Sequence, residues 1–233
     1  MNDEEAEFFR FPRTPHIAWL AEASPRDDKL LSPAEAEALL DGEVVIEEKI
    51  DGANLGISLG PDGDLRLQNR GQFLMPPYGG QFARLGSWLA PKENAVFDAL
   101  DENQILFGEW CAARHSVAYD RLPDWFLLFD VYDRSEDKFW SASRRDTLAG
   151  EIGLSIVPRL FQGRTTVPEL KELVGSAVSQ FREGTVEGVV LRSETPQWLV
   201  SKAKLVRSDF VQNIEEHWRG RAIEWNRLET GSS

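Results

Sequence analysis

The sequence predicts an α+β domain with antiparallel sheets flanked by helices, and three observations predict it. Short apolar segments alternating with period two are grouped at 44–49, 55–59 and 65–69 instead of each being followed by a helix. Turn signals such as Pro61-Asp62-Gly63-Asp64 join neighbouring segments as hairpins. Helical patterns are irregularly placed, which opposes βαβ winding.

The elements follow in order. Pro12, Pro15 and Pro25 interrupt any periodic pattern over residues 1–28. Ser32-Pro33-Ala34-Glu35 reads as a helix start, with Ser32 as cap, Pro33 in the first turn and Glu35 closing a capping box. That helix ends near Asp41-Gly42. Strands are expected over 44–49 and 55–59, joined by a turn at Asp51-Gly52-Ala53-Asn54, and over 65–69. Phe82, Leu85, Trp88 and Leu89 predict a helix over 81–101. Strands are expected at 105–110, 125–132 and 155–160, helices at 141–152 and 168–181, and a last strand pair at 186–192 and 198–206. A final helix begins after Ser208, with Phe210, Ile214, Trp218 and Trp225 near one face. The expected organisation is one domain over 1–207, this helix packed on it over 208–229, and a disordered tail at 230–233.

Composition limits the function classes. The 233 residues include 39 acidic and 26 Lys+Arg side chains, a net charge of −13. This excludes a nucleic-acid binder that is basic overall and leaves only a local basic groove. Hydrophobic residues at 42% exclude a disordered chain. No apolar run approaches the roughly 20 residues of a bilayer span. The acidic Met1-Asn2-Asp3-Glu4-Glu5 is unlike a secretory signal, and the single Cys111 forms no internal disulfide. A reducing, cytoplasmic setting is expected. Three histidines and one cysteine oppose a Cys/His zinc site.

The chemistry concentrates in Glu48-Lys49-Ile50-Asp51-Gly52-Ala53-Asn54, where a lysine ends an apolar strand and a tight turn follows. The plain reading is a hairpin with an incidental lysine. The functional reading is a nucleophilic amine facing a pocket. With a reference pKa of about 10.4, neutrality at pH 7 costs roughly 4–5 kcal/mol unless the site offsets it. Lys202 and Lys204, two residues apart on a strand, share a face and would supply such cations. Otherwise they are an edge that discourages strand pairing. Glu187 in Val186-Glu187-Gly188 and Glu109 in Phe107-Gly108-Glu109 place carboxylates beside glycines in apolar strands. Phe129-Asp130 lies in a core-like strand, and Arg70 leaves a strand beside Gly71.

Taken in order, these six units resemble the covalent nucleotidyltransferase superfamily of ATP-dependent DNA and RNA ligases and mRNA capping enzymes. Arg13-Thr14-Pro15-His16, the run from Cys111 to Asp120, and the stretch from Val211 to Trp218 resemble small stand-alone bacterial RNA ligases. The resemblance implies a nucleotidyltransferase (ATP-grasp-like ligase adenylation) fold using ATP and Mg²⁺ or Mn²⁺. It implies that Lys49 attacks the α-phosphate of ATP, and that AMP passes to an RNA 5′-phosphate and is displaced by a 3′-hydroxyl. Asp51 and Gly52 would shape the turn, with Glu48 beside the nucleotide. Asn54 would reach the nucleotide or polynucleotide, and Arg70 the ribose or the phosphate to be joined. Glu109 would hold a ribose hydroxyl. Phe129 would stack on adenine, with Phe126 the second choice. Glu187 would position the metal, with Glu109 as a further ligand. Lys202 and Lys204 would grip the α-phosphate and depress the Lys49 pKa. His115 and Arg114 would act on a substrate end, or simply pack a loop.

Only 29 residues follow Lys204, too few for the oligonucleotide-binding barrel of about five strands found in DNA ligases and capping enzymes. This favours an RNA ligase over a DNA-end ligase or a guanylyltransferase, and the complete set of nucleophile, acids and lysines argues against a non-catalytic nucleotide- or RNA-binding subunit. The short remainder also points to repair partners, such as end-healing proteins, that supply substrate binding.

Overall fold

The computed structural model describes residues 8–20, 29–211 and 223–230. Helix α1 (Pro33–Leu40) begins with the predicted capping box: Ser32 Oγ accepts the Glu35 N–H while Glu35 accepts the Ser32 N–H at 2.8 Å. Strand β1 (Val44–Glu48) follows, then β2 (Ala53–Leu59), β3 (Leu65–Gln68) and β4 (Phe73–Leu74).

The β1–β2 connection is not a hairpin. Strand β1 is buried along its whole length and pairs on both edges, with β9 (Arg159–Gly163) and β10 (Gly188–Glu194). Strand β2 belongs to the other sheet, between β3 and β5 (Gln104–Trp110). Residues 49–52 therefore step from one sheet to the other. Gly52 lacks the positive φ of a hairpin glycine and is needed for another reason. A Cβ there would lie 2.5 Å from the Trp110 carbonyl oxygen. The β2–β3 hairpin does form as predicted, with Gly63 at φ 82°.

The helix predicted over 81–101 is broken into a 3-10 turn (Gly80–Phe82), α2 (Leu85–Leu89) and α3 (Glu93–Ala99). Pro91, which has no N–H to donate, sits in the break. Strand β6 (Phe126–Asp133), β7 (Lys138–Phe139) and α4 (Ala142–Ile152) come next. The single strand expected at 155–160 divides around Pro158. Its first part, β8 (Ser155–Ile156), pairs parallel with β6, and its second, β9, pairs with β1. Helix α5 (Val167–Ser176) ends sooner than expected, and β11 (Leu199–Val206) completes the strands.

The two sheets have the orders β11-β10-β1-β9 and β4-β3-β2-β5-β6-β7, with β8 beside β6. Each has its own helical cover. Leu39, Ile46, Leu170, Val174 and Leu205 form the core under α1 and α5, while Leu55, Ile57, Trp88, Val96, Leu106 and Leu148 form the core under α2, α3 and α4. The sheets meet along the 49–52 step.

The final helix starts at Ser208 as α6 (Ser208–Val211), and residues 212–222, with Ile214 and Trp218, lie outside the described residues. Residues 223–230 are not helical. They run along the 111–122 loop, with Trp225 bridging Ala113 and Leu228 bridging Leu122. Residues 231–233 of the expected tail also lie outside the described residues. Among the described residues no helix is long and apolar enough to cross a membrane.

Candidate active site

Where the sheets meet, a cleft of about 340 Å³ is lined by Glu48, Lys49, Asp51, Asn54, Arg70, Glu109, Phe129, Lys202 and Lys204. All nine were singled out in the sequence. Glu187, singled out with them, reaches the cleft through Lys49: both of its carboxylate oxygens accept from Lys49 Nζ, at 2.8 and 2.9 Å.

The 49–52 step is held from both sides. Asp51 Oδ2 accepts the N–H groups of Ser116 and Val117 at 2.7 and 2.9 Å, and Tyr119 Oη accepts the Asp51 N–H. Glu109 Oε1 accepts the Gly52 N–H at 2.9 Å. Three carboxylates, Asp51, Glu109 and Glu187, thus surround one ammonium. Burial pushes the Glu109 carboxyl up to about 7, with Lys49 opposing and Asp51 adding to the rise. Burial also raises Glu187, an effect that Lys49 only partly offsets.

The charge state of Lys49 differs from expectation. Burial alone would favour the neutral amine, but Glu187, Asp51 and Glu109 outweigh it and hold the Lys49 pKa above the ordinary lysine value. The expected depression by Lys202 and Lys204 does not prevail against these carboxylates, and Lys202 is directed elsewhere. Its ammonium pairs with Asp130 Oδ2 at 2.5 Å and lies 4.3 and 4.5 Å from the ring centroids of Phe11 and Phe139. Burial lowers the Lys202 pKa, with Asp130 opposing.

Asp130 belongs to a buried network that sequence reasoning missed. Arg192 donates to Asp130 at 2.6 Å, to Glu194 at 2.5 Å and to the Trp140 carbonyl at 2.9 Å. Arg145 donates to Glu47 and to the Phe129 carbonyl, both at 2.6 Å. Glu47 and Arg192 come from one sheet and Asp130 and Phe129 from the other, so the network pins the sheets together behind Phe129. Glu47 and its neighbour Glu48, which also lines the cleft, have different partners. The Glu48 carboxylate accepts the Gln180 N–H at 3.2 Å, while Glu47 carries the carboxylate of β1 that joins the network. Alternation along β1 separates the two faces. The available signal was a pair of acids in an otherwise apolar strand.

Of the two stacking candidates, Phe129 lines the cleft and Phe126 is fully buried against Trp88. Phe11 and Thr14, from the proline-rich N-terminal segment, also line it. No periodicity marks that segment; the family resemblance reached Thr14 through Arg13-Thr14-Pro15-His16, and nothing pointed to Phe11. Cys111 is fully buried and burial raises its thiol pKa well above the usual value, consistent with packing rather than nucleophilic use.

Among the described residues no group of three or more His, Cys, Asp or Glu side chains has the arrangement of a metal cage. The donor set still fits a hard divalent cation: buried Glu187 and half-buried Glu109 offer carboxylate oxygens, and burial raises both carboxyls. Mg²⁺ is commonly held by one or two carboxylates together with substrate phosphates.

Comparison with known proteins agrees with this architecture. The family model for RNA ligase matches residues 42–207. An RNA ligase from Naegleria gruberi, solved with pyrophosphate, superposes with a TM-score of 0.66 at 14% identity, over 90% of this chain and 59% of that one. A mutant of the same ligase with ATP and manganese gives 0.62 at 13%, over 88% and 58%. Another with AMP and manganese gives 0.58 at 13%, over 88% and 63%. This chain therefore spans less than two thirds of the length of each, and at these identities the likeness is one of fold. No curated protein matches. Because the family match extends over more than half of its residues, the chain belongs to the RNA ligase family.

Proposed function

We propose that this protein is an ATP-dependent RNA ligase that works through AMP bound covalently to Lys49. The observation carrying the proposal is the position of Lys49 Nζ in the inter-sheet cleft, 2.8 Å from Glu187 and sharing the walls with Lys202, Lys204, Arg70 and Phe129. The Naegleria ligase was solved with ATP and manganese and with AMP and manganese, which supports the same nucleotide and a Mg²⁺-type ion here.

On this reading each residue has its work. Phe129, with Val157 and Val190, offers an apolar seat for a purine, and Glu109 an acceptor for a ribose hydroxyl. Lys204, Lys202 and Arg70 receive phosphates. Lys49 is an ammonium in the ligand-free protein, so it must lose a proton before it can attack. Its Nζ lies 2.8 Å from Glu187; as positive charge accumulates near the carboxylate the ion pair loosens and the proton passes to solvent. A divalent cation bound through Glu187 and Glu109 would supply such charge and neutralise the phosphates. The freed amine forms an N–P bond to the α-phosphorus, the bond to the β-phosphate oxygen breaks, and pyrophosphate leaves with the electron pair. AMP then passes to an RNA 5′-phosphate, and a 3′-hydroxyl displaces it.

Incubation with labelled ATP, GTP or NAD, each with Mg²⁺, tests the reading. ATP alone should label the protein, and Lys49→Ala should abolish the label while leaving the far-ultraviolet circular dichroism unchanged. Label from GTP alone, or label surviving in Lys49→Ala, would remove the assignment.

A further inference from the structure

A second pocket of about 360 Å³ adjoins the nucleotide cleft, walled by Asn54, Asn69, Arg70, Gln81, Phe82 and His115. Asn54 and Arg70 line both spaces. The two differ in chemistry. The first mixes several cations with several carboxylates, whereas the second has one formal cation, Arg70, and otherwise amides, an imidazole and the apolar wall of Phe82.

Two features say what kind of ligand the second pocket suits. Asn54 Oδ1 is buried and accepts no hydrogen bond. A buried acceptor disfavours a phosphate oxygen, which has no proton to give, and favours an O–H donor. His115 is fixed by a 2.8 Å contact between Nε2 and Gln81 Oε1. Gln81 is anchored in turn, because its carbonyl accepts Trp110 Nε1–H at 2.8 Å. Burial lowers the His115 pKa, with Asp51 opposing and Lys49 adding to the fall, so the ring is mainly neutral at pH 7. With Nε2 donating to Gln81 Oε1, the neutral ring keeps Nδ1 as an acceptor, which a sugar hydroxyl can donate to.

We propose that this pocket seats the terminal nucleotide bearing the 3′-hydroxyl, with Asn54, Gln81 and His115 contacting sugar hydroxyls and Arg70 that nucleotide's single phosphate. The proposal rests on the ligase reading above. Because the pocket shares Asn54 and Arg70 with the nucleotide cleft, a hydroxyl held there is next to the adenylated end. In sealing, the 3′-oxygen forms a bond to the 5′-phosphorus, the bond from that phosphorus to the AMP oxygen breaks, AMP departs with the electron pair, and the hydroxyl proton passes to solvent.

The experiment measures three reactions in wild type, Gln81→Ala, His115→Ala and His115→Gln: labelling from ATP, AMP transfer to a 5′-phosphate RNA lacking an acceptor, and sealing of a pre-adenylated RNA to a 3′-hydroxyl RNA. Sealing should fall at least tenfold in Gln81→Ala and His115→Ala, with a higher KM for the acceptor, and His115→Gln should recover part of it. Labelling and AMP transfer should stay within about threefold of wild type. Equal loss of all three reactions would mean a structural role and overturn the proposal. Loss of AMP transfer with sealing intact would give the pocket to the 5′-phosphate end and overturn it equally. Wild type that takes no label from ATP would instead sink the ligase reading itself, before any variant is compared.

Discussion

Glu109 shows most directly how burial and function conflict in one side chain. Its carboxyl is pushed up to about 7 by burial, from an ordinary value of 4.5. A folded-state pKa raised above the unfolded value means that the folded protein binds this proton more tightly. The stability tied to that proton is full below about pH 4.5 and is lost as pH rises through about 7. Glu109→Gln removes the buried charge and keeps an oxygen for the Gly52 N–H. This variant should therefore melt above wild type at pH 8 by about 2–4 °C, the equivalent of ~1 kcal/mol for a chain of this size. The gain should vanish near pH 4.5, and labelling from ATP should fall at least tenfold. Thermal scans at the two pH values check the sign, and an equal gain at both would show that charge is not the cause. The residue types at this site were legible in the sequence, but their charge states were not. Lys49 was expected beside cations, and its nearest charged partner is Glu187, 138 residues away along the chain.

The 49–52 step is the element on which the site depends, and it is where a local signal misled. Asp-Gly between two apolar strands is a strong hairpin pattern. Here the same pair serves a crossover, because both β1 and β2 are buried and have both edges taken by other strands. Gly52→Ala should cost about 1–3 kcal/mol in urea unfolding, since its methyl would sit 2.5 Å from the Trp110 carbonyl oxygen and the step must shift. Labelling should fall with it. The strap at 223–230 supports the step from outside. Asn226, almost fully buried, accepts the Tyr119 N–H at 2.9 Å and donates to the Cys111 and Ala113 carbonyls at 2.8 and 3.3 Å. The loop it fastens is the one whose Ser116 and Val117 amides hold Asp51. Asn226→Ala leaves these backbone groups unsatisfied, so it should cost about 1–3 kcal/mol and slow Lys49 labelling more than it weakens ATP binding. An unchanged labelling rate in a destabilised variant would confine Asn226 to stability. Periodicity extended the final helix across this strap, since apolar spacing alone does not say where a helix stops.

For the whole molecule, a net charge of −13 raised the question of where the cations are. Several arginines are taken up by partners within the protein. Arg145 and Arg192 are buried between the sheets, Arg114 pairs with Glu224, and Arg84 lies over the rings of Trp125 and Trp225. The Arg145 and Arg192 networks join two sheets that have separate apolar cores. Arg192→Ala would leave Asp130 and Glu194 without a shared buried cation. The expected cost is about 3–5 kcal/mol, read as a lower urea midpoint, because breaking a buried pair on one side strands the other charge. A change below 1 kcal/mol would show that the sheets are held by apolar contact alone.

The sequence by itself determined most of the strands, the capped first helix, the β2–β3 hairpin, and the ordered set of lysines, carboxylates and aromatics with its family resemblance. Those are properties of neighbouring residues, written in period, turn chemistry and spacing. Tertiary structure alone decided that β1 and β2 part company, that Glu47 enters the buried network, and that Lys49 stays protonated against the Glu187 carboxylate. Strand pairing and local potential sum over residues far apart along the chain, and no short window of sequence contains that sum.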